Sequence, residues 1–232
     1  MSKVIVTKDG PYSVEGRISL NKEVIVADKM GESIGWKETA KFPAKETYLL
    51  CRCGNSRAQP FCDSSHLKPG FDGTETASKK SFLSQSLLVE GKKLSMRDAK
   101  EFCASARFCD RLSGAWTLVK QSSNPENRKN AIEEVKNCPS GRLVVYDNLG
   151  KEIEPSLPKS ITIVEDVPAG VSGPIWVKGK IPIISADGHE YERRNRVTLC
   201  RCGCSENKPF CDGTHIPVEF NDDFFPKKKP QP

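Results

Sequence analysis

Leu50-Cys51-Arg52-Cys53-Gly54-Asn55-Ser56-Arg57-Ala58-Gln59-Pro60-Phe61-Cys62-Asp63-Ser64-Ser65-His66 returns later in the chain as Leu199-Cys200-Arg201-Cys202-Gly203-Cys204-Ser205-Glu206-Asn207-Lys208-Pro209-Phe210-Cys211-Asp212-Gly213-Thr214-His215. Both stretches obey C-x-C-x8-C-x3-H without a gap, and a Phe follows five residues after each His, Phe71 and Phe220. The lead-ins match as well: Gly10-Pro11-Tyr12-Ser13-Val14-Glu15-Gly16-Arg17-Ile18 corresponds to Gly173-Pro174-Ile175-Trp176-Val177-Lys178-Gly179-Lys180-Ile181. One unit therefore occurs twice, over residues 1–78 and 168–226, around a different segment over 79–167, with a basic tail at 227–232.

The repeated spacing has a chemical reason. Cysteines at i and i+2 in an extended loop present two thiolates to one metal centre. The x8 stretch carries Gly, Ser and Pro, so it can fold back and bring the third Cys alongside. Asp63 and Asp212 are good N-caps, and the His three residues on sits one turn into a short helix on the same side as the Cys. Each copy thus offers three thiolates and one imidazole. Spacing alone leaves the metal open: Cys3His is a structural zinc set, although zinc more often takes C-x2–4-C pairs.

Composition narrows the class. Aromatics make up 7% of the 232 residues, while 17 glycines and 16 prolines call for turns and short strands rather than long helices. The ten cysteines follow an N-terminus, MSKVIVTKDG, with no apolar signal-like stretch, so reduced thiols and a cytoplasmic setting are expected. No apolar run reaches the roughly 20 residues of a membrane span. The net charge of +6 is most visibly concentrated in Lys227-Lys228-Lys229, read as a solvated, disordered tail, and no basic stripe interleaved with aromatics points to nucleic acid.

The C-x-C pair and the Cys-Asp-Gly-Thr-His ending resemble the CDGSH iron–sulfur (mitoNEET-like) family. The resemblance implies a [2Fe–2S] cluster held by three Cys and one His. The ligands would be Cys51, Cys53, Cys62 and His66 in one copy and Cys200, Cys202, Cys211 and His215 in the other. Ser64 departs from the family pattern where Gly213 keeps it, so a similar site of slightly altered stability is expected there. Cys204 reads as a spare thiol. The resemblance also implies an α+β fold in which two small β-rich units form an intrachain pseudo-dimer, with a ferredoxin-like α+β domain inserted. Val4-Ile5-Val6, Val24-Ile25-Val26, Thr47-Tyr48-Leu49-Leu50 and Arg196-Val197-Thr198-Leu199 read as strands, with bends or bulges at Gly16 and Gly179.

In the middle segment, Ser95-Met96-Arg97-Asp98 has the form of a capping box opening a helix through Ala99, Phe102 and Cys103. Asn124-Pro125 opens a second helix with Ile132 and Val135 on one face. Leu143-Val144-Val145-Tyr146 and Ile161-Thr162-Ile163-Val164 read as strands, the first closed by a turn at Asp147-Asn148-Leu149-Gly150. Cys103, Cys109 and Cys138 are spaced C-x5-C-x28-C-P, against C-x2-C-x2-C with a remote C-P in bacterial ferredoxins; the middle ligand position falls on Ala106. The segment resembles a divergent single-cluster ferredoxin domain. That implies a third cluster, [3Fe–4S], or [4Fe–4S] with Asp110 or water as fourth ligand.

His189 lies in a turn, and Trp36, Trp116 and Trp176 read as packing residues. No Walker loop, dinucleotide glycine loop, H-E-x-x-H or G-x-S-x-G is present, so no enzyme is indicated. The expected function is electron transfer by a protein with two [2Fe–2S] clusters and a cubane-type centre, working with redox partner proteins, without nucleic acid or membrane, and as a monomer. The alternatives are cluster storage and transfer to apo acceptors, and a zinc-stabilised interaction module.

Overall fold

Short β-branched and apolar runs bounded by Gly, Pro and Asp build most of the chain. The computed structural model describes residues 2–68 and 70–226; the basic tail lies outside the described residues. The first unit supplies β1 (Lys3–Val6), β2 (Tyr12–Glu15), β3 (Ser19–Ala27), β4 (Ser33–Lys41) and β5 (Thr47–Leu50). The centre supplies α1 (Phe82–Gln85), β6 (Leu87–Glu90), β7 (Leu94–Asp98), α2 (Ala115–Lys120), α3 (Pro125–Asn137) and β8 (Leu143–Asp147). β9 (Ser160–Asp166), β10 (Val171–Lys178), β11 (Ile183–Ile184) and β12 (Arg196–Leu199) follow. The mixture is α+β, and among the described residues no helix is long and apolar enough to cross a membrane.

The two repeats share their sheets. One sheet runs β11-β1-β2-β5, the other β12-β10-β9-β3-β4. The first takes β11 from the second half of the chain, in parallel register Val4↔Ile183; the second takes β3 from the first half, in parallel register Leu20↔Ile161. Element for element, β11-β1-β2-β5 corresponds to β3-β9-β10-β12, with β4 added at an edge. The register repeats too: Tyr12 faces Leu50 as Ile175 faces Leu199. Val4, Val6, Tyr12 and Val14 share one apolar core with Ile161, Ile163, Ile175, Val177, Val197 and Leu199.

Ile161–Val164, expected at the end of the central segment, belongs to the larger sheet instead. β9 is buried between β10 and β3 along most of its length, so its apolar run serves the shared core. The helix expected from Ser95 is also corrected. Leu94–Asp98 is the middle strand of the sheet β6-β7-β8, and only a single 3-10 turn, Lys100–Phe102, follows. Alternate burial of Leu94 and Met96 against α2 and α3 overrides the capping pattern. The second helix forms as expected, with the Asn124 side chain accepting from the backbone N–H of Glu126 and Asn127.

β8 joins the layers. Leu143 and Val145 pack with Leu118, Val119, Ala131 and Val135 of the two helices, while Val144 enters the main core with Phe82, Ala99 and Phe102. The central sheet is therefore sandwiched between its own helices and the β core of the repeats.

Candidate metal centres

β5 and β12 each deliver a C-x-C pair directly off the strand end, and a backbone ladder closes the loop behind it. Cys51 N–H donates to Pro60 O and Cys62 N–H to Leu49 O; Cys200 N–H donates to Pro209 O and Cys211 N–H to Thr198 O. The Asp after the third Cys turns the chain: Asp63 Oδ1 accepts from Ser65 N–H and Asp212 Oδ1 from Thr214 N–H, both at 3.0 Å. A 3-10 turn, Ser65–Leu67, then presents His66, and a run of turns presents His215.

The donors stand in pairs. Cys51 Sγ lies 3.6 Å from Cys53 Sγ, and Cys62 Sγ 3.4 Å from His66 Nδ1. In the second copy the distances are 3.8 Å for Cys200–Cys202 and 3.5 Å for Cys211–His215. Two thiolates about 2.3 Å from one tetrahedral metal stand ~3.8 Å apart, and a thiolate–imidazole pair slightly less. Each pair thus has the bite of one metal. Among the described residues no group of three or more His, Cys, Asp or Glu side chains is arranged to hold a single ion. The four donors of the first copy nevertheless line one recess with Gly10, Pro11 and Arg52. Two pairs around one recess fit a binuclear cluster.

Within each C-x-C pair the shared hydrogen bond draws the first thiol down and pushes the second, Cys53 or Cys202, up, while burial pushes Cys62 and Cys211 up. The Cys51 thiol is drawn down to about 6 by its hydrogen bond with Cys53, with the backbone N–H of Ser56, Cys53 and Gly54 adding to it against burial. Cys200 is drawn down to about 7 in the same way, by Cys202 and then by the N–H groups of Ser205 and Gly203. Ser64 N–H and Gly213 N–H point at the third sulfur of their sites, each at 3.4 Å. Hydrogen bonds to ligand sulfur of this kind tune reduction potential.

The arginine inside each C-R-C pair is a feature the sequence reading passed over. Arg52 is buried, donates to the carbonyls of Gly10, Gly73 and Thr7, and stacks over Tyr12 and Phe71. Arg201 donates to Gly173 and Val164 carbonyls, pairs with Glu165 and Asp222, and stacks over Phe220. The Phe five residues after each His is the ring under this guanidinium. An Arg and a Phe recurring at fixed places in both copies was the signal available.

The two sites differ in exposure. His215 is 2% exposed, and burial pushes its imidazole down to about 4. Cys211 is equally buried, whereas Cys62 and His66 are half-exposed. The sites also touch. A Cβ on Gly54 would come within 2.4 Å of Cys202 O, and one on Gly203 within 2.7 Å of Cys53 O, so both glycines mark a close backbone approach. Tyr12 O–H reaches across to the carbonyls of Cys200 and Pro209, at 2.9 and 3.0 Å.

Cys103, Cys109 and Cys138 come together in the centre, lining one small recess with Ser105, Arg107, Ser140 and Arg142. Burial, followed by the charges of Cys138, Asp110 and Cys103, pushes the Cys109 thiol up, as expected of thiols sharing a site. Between the first two cysteines, Ser105 (φ 52°) and Arg107 (φ 62°) adopt left-handed backbone. Ala106 is buried against Ile25, Phe108, Val164 and Trp176. It also lines the recess, so the position where the ferredoxin spacing expects a ligand lies at the site but carries only a methyl group. Three thiols around one recess fit a cubane-type centre with one non-Cys ligand. Asp110 is exposed, its Oδ1 3.7 Å from Cys109 Sγ.

The remaining candidates are structural. Cys204 is exposed outside the donor pairs, and the ten cysteines form no disulfide. His189 is half-buried edge-on to Tyr191. Trp36 stacks on Trp176 and Phe108, and Trp116 donates to Asp98.

A family model described as iron-binding zinc finger CDGSH type matches residues 9–67 and 172–216, covering both donor sets. A model described as divergent 4Fe-4S mono-cluster matches residues 89–148, covering the three central cysteines. The chain is a CDGSH-type iron–sulfur protein with two copies of the motif and a mono-cluster domain between them. No curated protein and no solved structure matches it. In this CDGSH protein both motifs begin on a strand that ends at the C-x-C pair, and the mono-cluster domain sits on the second.

Proposed function

We propose that the protein is an electron carrier rather than an enzyme, with a [2Fe–2S] cluster at each Cys3His site and a [3Fe–4S] or [4Fe–4S] cluster at the three central cysteines. The observation that carries this reading is the pairing of donors at each motif, Cys–Cys and Cys–His, each with the bite of one tetrahedral metal. When bound, such clusters supply one-electron redox chemistry. The chain's own part is to fix the ligands and limit water. Arg52 and Arg201 pin the two C-x-C loops, backbone N–H groups face the sulfurs, and Gly54, Gly203 and Gly213 allow the three sites to approach. The exchange of β3 and β11 between sheets, with the reciprocal Gly54–Cys202 and Gly203–Cys53 contacts, supports an intrachain pseudo-dimer working as a monomer. Free cysteines fit a reducing compartment such as the cytoplasm, and the partners would be redox proteins.

A second reading, cluster donation to apo acceptors, is favoured by one observation: Cys62 and His66 are half-exposed while Cys211 and His215 are buried. Iron, acid-labile sulfide and zinc quantitation with EPR on anaerobically purified protein tests both. The expected result is about four irons from the Cys3His sites and three or four more from the centre. Cys103→Ser or Cys138→Ser should remove the cubane-type signal alone. Stoichiometric zinc without sulfide overturns the proposal, and net transfer to an apo-ferredoxin selects the second reading over the first.

A further inference from the structure

Cys138 lies just beyond the C-terminus of α3, where the last carbonyls of a helix have no partner within the helix. In this protein Cys138 N–H turns back to Val135 O at 3.1 Å, and a further partner for this end comes from outside the central domain. Arg196, the first residue of β12, is 1% exposed and spreads its guanidinium over that end. Nη1 donates to the carbonyls of Val135 (2.8 Å), Lys136 (3.2 Å) and Cys138 (2.5 Å). Nη2 donates to Leu143 O at 3.2 Å, beyond the Cys138-Pro139-Ser140-Gly141 loop. Glu154 holds the fork in plane, its two oxygens 2.9 and 3.1 Å from Nη2 and Nε. Two residues earlier, Arg194 is wedged between the rings of Phe82 and Phe102 and donates to Gly141 O.

We propose that Arg196 is the positioning residue of the central site: from the second CDGSH unit, it holds the Cys138 loop in the conformation that brings this thiol to Cys103 and Cys109. The inference rests on the central cysteines being cluster ligands, as proposed above. It makes the central site an interface site, complete only when β12 is in place. β12 runs from Arg196 to Leu199 and directly into Cys200, so one strand carries both the clamp on the central loop and the first donor of the second motif. A planar fork with five N–H groups is required to satisfy four carbonyls and a carboxylate at once; an ammonium keeps the charge but lacks that geometry.

The test compares Arg196→Lys with wild type as purified, by chelator challenge followed by EPR and by hydrogen exchange of the amides at 135–143. The expected result is loss of the cubane-type signal about 10–100-fold faster, with the [2Fe–2S] signals decaying as in wild type, and faster exchange at 135–143. Unchanged decay of the central signal overturns the proposal. Simultaneous faster loss of all three signals also overturns it, because Arg196 would then support the fold at large. Wild-type protein with no cubane-type signal defeats the cluster reading instead. The exchange arm then still decides whether the clamp exists: unchanged exchange at 135–143 overturns it, and faster exchange there upholds it.

Discussion

Ser105 of the central segment lies over Gly213 of the second motif: a Cβ at 213 would meet Ser105 Oγ at 2.3 Å and Cys103 O at 3.3 Å. Gly213 also has φ +92°, a conformation that side chains rarely adopt. At the corresponding place in the first motif, Ser64 keeps a left-handed φ of 70° but is exposed to solvent. The departure of the first motif from the family pattern is therefore tolerated where nothing docks and excluded where the central domain does.

Gly213→Ser, which gives the second motif the residue of the first, should destabilise the protein by about 1–3 kcal/mol through overpacking and backbone strain. Ser64→Gly should change stability by less than about 1 kcal/mol, because relief of strain is offset by a freer unfolded chain. Urea unfolding of both variants measures the difference. Equal effects would mean that the central domain does not rest on Gly213.

Exposure sets the order in which the Cys3His sites fail. Chelator and acid reach Cys62 and His66 directly, whereas His215 and Cys211 become accessible only after local opening. Loss of visible absorbance should be biphasic, the fast phase about tenfold or more ahead of the slow one. His66→Cys should slow the fast phase alone. A single phase, or a fast phase assigned to the second site by His215→Cys, would contradict this ordering.

The repeat was legible because metal ligation demands fixed spacing, and Cys, Asp, Pro, Phe and His return at the same offsets. The strands next to it were legible for the same local reason. The exchange of β3 and β11 was not, because parallel pairing such as Leu20↔Ile161 depends on contacts far apart in sequence. Ser95–Asp98 misled because a capping pattern and a period-2 strand coincide, and only the helices above Leu94 and Met96 decide between them. Arg196 read simply as the start of a strand; its guanidinium reaches Cys138 O through a fold that spacing does not reveal.

Arg52 and Arg201 occupy equivalent places but should respond differently to removal. Arg201 is fully buried with the carboxylates of Glu165 and Asp222, which are buried too. Arg201→Met would leave Glu165 with Lys22 alone, 3.3 Å away, and Asp222 with Ser172 Oγ at 2.9 Å, at a cost of about 3–5 kcal/mol for a buried ion-pair network that loses its central charge. Arg52 serves neutral carbonyls, so Arg52→Met should cost less, about 1–3 kcal/mol for acceptors left unmet. Thermal unfolding of the two variants checks the order; Arg52→Met proving the more damaging would show that the ion pairs around Arg201 contribute little.

Glu134 carries the last prediction. It lies on α3, 2% exposed, and neither carboxyl oxygen has a hydrogen-bond partner. Burial pushes its carboxyl up to about 8; Arg111 opposes the shift, while Asp110, Glu32 and Glu133 add to it. In the unfolded chain this group ionises near its ordinary value of 4.5, while the folded protein keeps the proton until about 8. The folded state therefore binds more protons between these values, and stability falls as pH rises from 4.5 towards 8. Glu134→Leu removes both the unpartnered oxygens and the proton linkage. It should stabilise the protein at pH 8 by about 1–3 kcal/mol and by less at pH 5. Urea midpoints of wild type and variant at the two pH values decide it. A gain of the same size at both would mean that Glu134 is not the group that keeps its proton in the folded protein.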